Sequence, residues 1–347
     1  MSNKLLCVGS VAFDSIQTPF GKVNKTLGGS ATYFSLASSL FAPTAIVGVV
    51  GDDFNPRAGG FDVFKKHNID TSGLQKLKGK TFHWAGKYHF DLNTRDTLKT
   101  SLGVFANFTP KLGEQHRASK YVFLGNIQPK LQMDVLNQVK RPRLVGLDTM
   151  NLWIETAKRD LLKVIKKIDL LVINDSEARQ FTKEHNLLKA ARKILSLMNQ
   201  PDTFTRPRKS VGLNPTLIIK QGEHGLLLFN QESSLRVRPK QSKPSNRLPR
   251  PSVALGARND IKIFNLPGYP LENIIDPTGA GDSFAGALMG YLAKTDDLSP
   301  ANIKKACAVA STVASFTVED FGTKRLQSIT GYDVVERLKE YKKMVNF

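Results

Sequence analysis

Short, uninterrupted apolar runs recur along this chain and are separated by stretches with helical hydrophobic spacing. The apolar runs are KLLCVG (4–9), TAIVGVVG (44–51), YVFLGN (121–126), RLVGLDT (143–149), LLVIND (170–175) and TLIIKQG (216–222). The helical stretches include residues 31–41, 131–140, 157–168 and 187–198. Strands that are apolar on both faces and alternate with amphipathic helices are typical of a parallel sheet covered on both sides. The sequence therefore predicts an α/β fold with a doubly wound, mainly parallel sheet.

The position of a functional site follows from this fold class. In doubly wound sheets, ligands bind beyond the carboxyl ends of the strands. Asn126, Asp148 and Asn174 each stand at the end of a predicted strand, so we expect the site to lie at that edge. The chain of 347 residues can bury a large core, and we predict a single domain over residues 1–347.

Two segments interrupt the α/β alternation. Residues 79–97, GKTFHWAGKYHFDLNTRDT, alternate aromatic and polar side chains, and residues 13–25, FDSIQTPFGKVNK, have the pattern of an exposed hairpin. Alternation with a period of two indicates strands with one exposed face. We predict that both segments form a small antiparallel β lid. Because exposed lid strands can pair between subunits, a homodimer is an open expectation.

The chain is strongly basic, with 50 Lys and Arg against 30 Asp and Glu, a net charge of +20 and a pI near 9.9. Residues 201–210 and 232–260 are rich in Pro, Ser and Arg, and the second segment has seven basic residues against two acidic ones. We interpret them as basic surface insertions. Such charge favours contact with polyanions, so weak nucleic-acid contact through the insertions is a further expectation.

Other features limit where the protein acts. No apolar run approaches the roughly 20 residues that a membrane-spanning helix needs, and the first residues lack the apolar core of a signal peptide. Two cysteines cannot form a disulfide framework, and six scattered histidines have no zinc spacing. We expect no membrane contact and a cytoplasmic location, with an organelle that keeps reducing conditions as the alternative.

The segment LENIIDPTGAGDSFAGALMGYLA (271–293) contains the strongest chemical signal. An apolar stretch leads into Asp-Pro-Thr and then into Gly279-Ala280-Gly281, after which a helix begins. Glycines allow a close backbone approach to an anion, and the free amides and dipole of a helix N-terminus favour negative charge. Asp282 lies in the first helical turn, where it can accept a proton from a hydroxyl. This pairing suits transfer of a phosphoryl group to an alcohol.

Three alternatives compete for this segment. A glycine turn followed by Asp can simply be a helix N-terminus with a stabilising carboxylate. A dinucleotide-binding fingerprint requires Gly where this chain has Phe284, and the chain contains no GxxxxGK[ST] loop. The dehydrogenase and P-loop interpretations are therefore disfavoured, whereas the simple helix N-terminus remains open on this motif alone.

The chain resembles the ribokinase-like (PfkB) carbohydrate kinase family over nearly its whole length apart from the insertions. DPTGAGDSFAGALMG (276–290) is similar to the family's C-terminal signature, and Asn174-Asp175-Ser176-Glu177 matches its N-x-x-E element. GGSATYFSLASSLF (28–41), followed by VGVVGDDF (47–54), is similar to the N-terminal signature. The resemblance implies a ribokinase-like fold and an ATP-dependent kinase of sugars or nucleosides.

The resemblance also implies roles at the reacting groups. Asp282 would be the catalytic base, and Gly279, Ala280 and Gly281 would form the anion hole for the transferring phosphoryl group. Asn174 and Glu177 would act on Mg²⁺ through water, as suits a cation that keeps much of its hydration. Some relatives imply a monovalent cation near the positions of Asp276 and Thr278.

Substrate-binding positions follow from the same resemblance. The residues that match the acceptor-binding positions are Asp14, Gly28, Gly29 and Tyr33. The residues that match the ATP-binding loop are Lys220, Gly222 and Gly225, and helix 301–316 would wall the adenine. Tyr33 stands where the family usually has Asn, and this departure bears on the identity of the acceptor. A ring there, together with the aromatic lid, would favour a nucleoside over a free sugar.

Simpler interpretations exist for several of these residues. Asp14 could cap a turn, Glu177 could be the acidic first turn of a helix, and Lys220 could be solvated. The lid aromatics Phe82, Trp84, Tyr88 and Phe90 are more typical of packing than of substrate stacking, because alternate residues of a strand share one face.

Two functions of different classes remain. The first is an ATP-dependent, Mg²⁺-requiring kinase that phosphorylates a hydroxyl of a sugar or nucleoside. The second is a kinase fold retained as a basic structural subunit of a nucleic-acid-containing complex, which the net charge of +20 suggests. The intact GAGD and N-x-x-E elements favour the enzyme.

Overall fold

The computed structural model describes residues 5–54, 60–200, 213–231 and 261–345. The insertions predicted at 201–210 and 232–260 lie outside the described residues. Within the described ranges, no helix is both long and apolar enough to cross a membrane.

The main sheet has nine strands in the order β13-β12-β11-β10-β9-β8-β1-β4-β5. These strands are β1 (Leu5–Val8), β4 (Thr44–Val50), β5 (Asp70–Lys76), β8 (Tyr121–Leu124), β9 (Leu144–Asp148), β10 (Leu170–Asn174), β11 (Thr216–Lys220), β12 (Leu226–Gln231) and β13 (Ile261–Leu266). In this spatial order, the seven neighbouring strands from β11 to β5 pair in parallel, whereas β12 pairs antiparallel with both β11 and β13. The predicted doubly wound, mainly parallel sheet is confirmed, and all six apolar runs are strands within it.

Helices cover both faces of the sheet. They are α1 (Ser30–Ser39), α2 (Gly60–Lys66), α3 (Glu114–Arg117), α4 (Pro129–Gln138), α5 (Asn151–Thr156), α6 (Lys158–Ile165), α7 (Asp175–Thr182), α8 (Leu187–Met198), α9 (Ala280–Thr295), α10 (Pro300–Thr317), α11 (Lys324–Ser328) and α12 (Gly331–Met344). Leu5 and Cys7 of β1 pack with α1, α9 and α10, whereas Leu6 and Val8 pack with α4, α6 and α8. Successive strand residues point to opposite faces, so a continuous apolar run fills two cores.

The lid is a separate sheet of four strands in the order β3-β2-β6-β7. Its strands are β2 (Ala12–Thr18), β3 (Gly21–Gly28), β6 (Phe82–Tyr88) and β7 (Arg95–Ser101). The hairpins β2–β3 and β6–β7 are antiparallel, as predicted, and they join through a parallel β2–β6 pair. The first hairpin is not simply exposed, because Phe13, Asp14 and Ile16 are buried. The reason is that β2 lies inside the sheet, between β3 and β6.

Candidate active site

Polar side chains from neighbouring parallel strands meet at the carboxyl edge of the main sheet. Asn174 of β10 and Lys220 of β11 are directly paired in the strand register. The Lys220 Nζ lies 3.7 Å from Oδ2 of Asp148, which ends β9. Beyond β8, Asn126 Oδ1 accepts a hydrogen bond of 2.9 Å from Nε1 of Trp153. The expected position of the site, beyond the strand ends, therefore contains a cluster of charged and polar groups.

The glycine turn before α9 presents backbone amides to this cluster. Gly279 caps the helix with φ of +78°, a left-handed conformation that favours glycine. Among the described residues, the amides of Gly281 and Asp282 have no hydrogen-bond partner, as expected for a helix N-terminus. A Cβ added to Gly281 would lie 2.7 Å from the Lys220 Nζ. The free amides and an ammonium group thus face the same space, an arrangement suited to an anion.

Asp282 is half-buried in the first turn of α9, beside these amides. Burial and the nearby carboxylate of Asp148 raise the pKa of Asp282 to about 7, although Lys220 opposes the shift. A carboxyl group that titrates near neutral pH can both accept and release a proton under physiological conditions.

Asn174 and Glu177 form a reciprocal cap at the start of α7. Asn174 Oδ1 accepts a 2.7 Å bond from the Glu177 amide, and Glu177 Oε2 accepts a 2.9 Å bond from the Asn174 amide. Burial and Asp148 raise the pKa of Glu177 to about 7, against the effect of Lys220. Glu177 therefore stabilises a helix N-terminus and also faces the charged cluster. Its interpretation as the acidic first turn of a helix is thus compatible with its predicted role at Mg²⁺.

The donors present are compatible with Mg²⁺. In the described part of the chain, no group of three or more His, Cys, Asp or Glu side chains is arranged to hold a metal directly. Burial and then the Asp148 carboxylate raise the pKa of both Glu177 and Asp282, and a divalent cation beside these groups would favour their charged forms. Carboxylate and amide oxygens suit this hard cation, which commonly keeps several waters.

Asp14 and the Gly28-Gly29 pair lie together where the lid meets the main sheet. A Cβ added to Gly28 would lie 1.9 Å from Asp14 Oδ2, so only glycine fits beside this carboxylate. Burial raises the pKa of Asp14 to about 7, and the hydrogen bond from the Gly29 amide opposes this shift. The predicted acceptor-binding residues Asp14, Gly28 and Gly29 are therefore brought together, and their role in binding stays a prediction.

Tyr33 lies behind the glycine turn. Its side chain is 1% exposed, and a Cβ added to Gly279 would lie 2.3 Å from its ring. Its buried hydroxyl has no hydrogen-bond partner among the described residues. The ring thus supports the turn that holds the free amides, and the predicted contact between Tyr33 and an acceptor stays a prediction.

The ATP-binding residues predicted beyond β11 lie on a tight turn. Gly222 and Gly225 have φ of +57° and +90° around a 3-10 turn. A Cβ on Gly225 would lie 2.1 Å from the carbonyl oxygen of Leu266, and one on Gly222 would lie 2.8 Å from Asn93 Oδ1 in the lid. Lys220, by contrast, is 20% exposed and paired with Asp148 rather than freely solvated.

Asp276 precedes the glycine turn and is fully buried. Its two carboxylate oxygens accept bonds of 2.9 Å from the Thr278 amide and 2.8 Å from the Gly322 amide. Both oxygens therefore have donors already, and the monovalent cation expected near Asp276 and Thr278 stays a prediction.

Sequence reasoning missed one residue of the site, Arg95 of β7. It is directly paired with Tyr88 in the strand register, and its charge interacts with Tyr88, Glu177 and Asp282. Arg95 follows a polar turn with no motif of its own, so only the pairing of β7 with β6 could have placed it.

These features define an α/β protein of the ribokinase-like class. The chain belongs to the pfkB family of carbohydrate kinases, whose sequence profile matches residues 2–245 and 260–329.

Individual relatives agree with this assignment. The cytidine kinase of Thermococcus kodakarensis is 26% identical over 295 residues, which cover 83% of this chain and 88% of that protein. The solved nucleoside kinase of Burkholderia thailandensis, in complex with inosine, has a TM-score of 0.65 at 17% identity and covers 97% of this chain and 98% of its own. Arabidopsis thaliana ribokinase, solved with ribose and ATP, has a TM-score of 0.67 at 17% identity and covers 98% and 99%. The two structural likenesses confirm the fold.

Proposed function

We propose that this chain is an ATP-dependent, Mg²⁺-requiring kinase that phosphorylates a hydroxyl group of a nucleoside. The main support is the position of Asp282 beside the free amides at the start of α9. The family is one of carbohydrate kinases, and a relative that covers most of the chain is a cytidine kinase. These names favour a ribosyl acceptor with a base over a free sugar.

In the proposed reaction, the acceptor hydroxyl attacks the γ-phosphorus of ATP. A bond forms between the acceptor oxygen and phosphorus, the bond to the bridging oxygen breaks, and ADP leaves with that electron pair. Asp282 takes the proton of the attacking hydroxyl, and its pKa of about 7 matches this task. The amides of Gly281 and Asp282 stabilise charge on the transferring group.

The other residues bind and orient. Asp14, with Gly28 and Gly29, would hold acceptor hydroxyls, and Lys220 would bind a phosphate oxygen of ATP. Asn174 and Glu177 would hold Mg²⁺ through water, and the ion would neutralise charge on the phosphates. A closed lid would exclude water and so favour transfer over hydrolysis.

The test measures phosphotransfer from ATP to a panel of nucleosides and free sugars. The readouts are ADP release and ³¹P NMR of the product. Asp282→Asn should lower kcat by about 10²-fold or more, because it removes the base. The melting temperature of this variant should not fall, because burial disfavours the charged form of the carboxyl group that the substitution removes. The exposed Asp62→Asn serves as the control. Equal turnover by Asp282→Asn and the parent would refute the mechanism.

A further inference from the structure

Gln132 is a polar residue at a core position of α4. Its side chain is 0% exposed, like that of Val135 one turn later, which packs in one of the two cores beside the sheet. Residues three apart share a helix face, so Gln132 also points at the sheet. Burying an amide costs free energy unless the amide is hydrogen-bonded, and an apolar side chain would fill this place without that requirement. The amide of Gln132 therefore has a role other than packing.

The start of α4 places this amide at the carboxyl edge of the main sheet. β8 ends at Leu124 and α4 begins at Pro129, so the first turn of the helix lies beside the strand ends. Helical side chains lean towards the helix N-terminus. Gln132 thus reaches the edge of the sheet where the candidate site lies.

The amide nitrogen of Gln132 joins two neighbouring strands. Nε2 donates a 2.8 Å hydrogen bond to the Gly125 carbonyl oxygen and a 3.2 Å bond to the Asp148 carbonyl oxygen. The parallel ladder between β8 and β9 ends at the pair Leu124 and Leu147, so Gly125 and Asp148 are the first residues beyond it. Both neighbours are acceptors, so only the NH₂ group can face them, and Oε1 has no hydrogen-bond partner among the described residues. Gln132 thus continues the connection between the two strands where their ladder stops.

Asp148 carries this connection into the site. Its Oδ2 lies 3.7 Å from the Lys220 Nζ, and its Oδ1 accepts a 2.8 Å bond from the Thr149 amide. Asp148 is 6% exposed, so a shift of its backbone would move its carboxylate and, with it, the ammonium group of Lys220. Gln132, Asp148 and Lys220 therefore form a continuous series of contacts from the core of the protein to the free amides at the start of α9.

We propose that Gln132 is a positioning residue for phosphoryl transfer. By joining the ends of β8 and β9, it fixes the Asp148 carboxylate, which holds Lys220 where it binds the phosphates of ATP. This inference rests on the proposed kinase function. Gln132 contacts neither substrate and acts through Asp148 and Lys220, so the geometry of the site depends on a residue in the core.

The main test compares Gln132→Met with Gln138→Met, which removes similar bonds from the same helix. The Gln138 Nε2 donates bonds of 2.9 Å to the Pro110 carbonyl and 3.0 Å to the Asp134 carbonyl, and its Oε1 accepts a 3.0 Å bond from the Leu112 amide. Gln138 lies about 9 Å further along α4, away from the site. Both variants should melt at a lower temperature than the parent, because each loses bonds to backbone groups. Only Gln132→Met should lower kcat, by about tenfold, because small displacements of binding groups slow catalysis strongly.

A double-mutant cycle tests whether Gln132 acts through Asp148. Asp148→Asn removes the charge that holds Lys220 and keeps the backbone carbonyl to which Gln132 donates. Adding Gln132→Met to Asp148→Asn should lower kcat by less than about threefold, because the contact through which Gln132 acts is already lost. A merely structural role would lower kcat by the same factor of about tenfold in both backgrounds. In Gln132→Met, the KM for ATP should also rise more than the KM for the nucleoside, because Lys220 binds phosphate.

Three outcomes would overturn the inference. They are a parental kcat in Gln132→Met, an equal loss of kcat in Gln138→Met, and fully independent effects in the cycle. If Gln132→Met does not fold, Gln132→Leu takes its place, because cores tolerate apolar residues of similar volume. If neither variant folds while Gln138→Met does, Gln132 serves stability alone and the inference is wrong as well.

The failure of the two proposals would look different. If the parent phosphorylates a nucleoside, Asp282→Asn is inactive and Gln132→Met is fully active, only the role of Gln132 is wrong. If the parent phosphorylates no nucleoside or sugar, the proposed function fails, and the role of Gln132 fails with it.

Discussion

The carboxyl groups of Asp14 and Glu177 are buried and that of Asp282 is half-buried. Each of the three has a pKa raised to about 7, chiefly by burial. Burial disfavours the charged form, and neighbouring carboxylates add repulsion. The protein therefore binds protons at these groups at a pH where an unfolded chain, with carboxyl pKa values of about 4, has released them. The same raised pKa that would suit Asp282 to its proposed role as a base lowers the stability of the ligand-free protein at neutral pH.

This lower stability at neutral pH predicts that the free energy of unfolding depends on pH. Between about pH 4 and pH 7 the folded state binds more protons than the unfolded state, so the contribution of these groups to stability falls as pH rises. The melting temperature of the parent, followed from pH 5 to pH 8, should therefore fall more steeply up to about pH 7 than that of Asp282→Asn. A parent curve no steeper than that of the variant would show that Asp282 does not titrate in this range.

The conformation of the glycine turn gives a second prediction. Gly279→Ala should abolish most activity, because φ of +78° disfavours any side chain and the new Cβ would lie 2.3 Å from the Tyr33 ring. The left-handed backbone alone costs about 1–2 kcal/mol. Gly331→Ala is the control, since an added Cβ there meets nothing within 4 Å. Activity should be compared with the melting temperature, and a Gly279→Ala variant with parental activity would contradict the proposed anion-binding role.

At the level of elements, the sequence predicted those parts that have a strong local signal. The interior strands β1, β4 and β8 to β11 are continuous apolar runs because helices cover both of their faces. The edge strand β5, DTSGLQK, was missed because it is mostly polar. The opposite edge of the sheet is β13, which pairs antiparallel with β12. Arg95 was missed for a related reason: its position depends on a pairing between strands, and no motif records it.

The entry of the chain into the lid provides an element-scale prediction. The Thr81 hydroxyl donates a 2.7 Å bond to Asp53 Oδ1 and accepts a 3.0 Å bond from the Gly51 amide. It thereby ties the start of β6 to the loop after β4. Thr81→Val removes both bonds in a buried place, which should cost about 1–3 kcal/mol.

The looser lid should also change the reaction. We expect Thr81→Val to release more ADP per phosphorylated acceptor than the parent, because water would reach the site more often. The exposed Thr100→Val in β7 is the matched control. Both products should be measured in the same reaction, and an unchanged ratio of ADP to product would argue against a role for this contact in lid closure.

Charge on the whole molecule opposes charge in the site. The cluster of Asp148, Glu177 and Asp282 would repel the phosphates of ATP, whereas the net charge of +20 attracts anions from a distance. Global basicity is therefore compatible with a kinase as well as with a nucleic-acid-binding subunit. Removing the +5 of residues 232–260 leaves +15, so most of the positive charge belongs to the rest of the chain.

The strand register allows an experiment that distinguishes a kinase from a nucleic-acid-binding structural subunit. Gln231 at the end of β12 is directly paired with Ile261 at the start of β13, so a two-residue Asn-Gly turn can replace residues 232–260 and close the hairpin. We expect this variant to fold and to keep kcat within about twofold of the parent, because Lys220, Asp282 and Arg95 all lie elsewhere.

A full-length control with the seven basic residues of 232–260 changed to Gln distinguishes the effect of charge from that of length. Affinity for random RNA should then be measured for all three proteins across a salt series. If the protein is a kinase that needs no nucleic acid, both variants should keep the turnover of the parent. If instead the parent phosphorylates nothing, binds RNA tightly and in a salt-sensitive way, and both variants lose that binding, the result would favour the structural subunit.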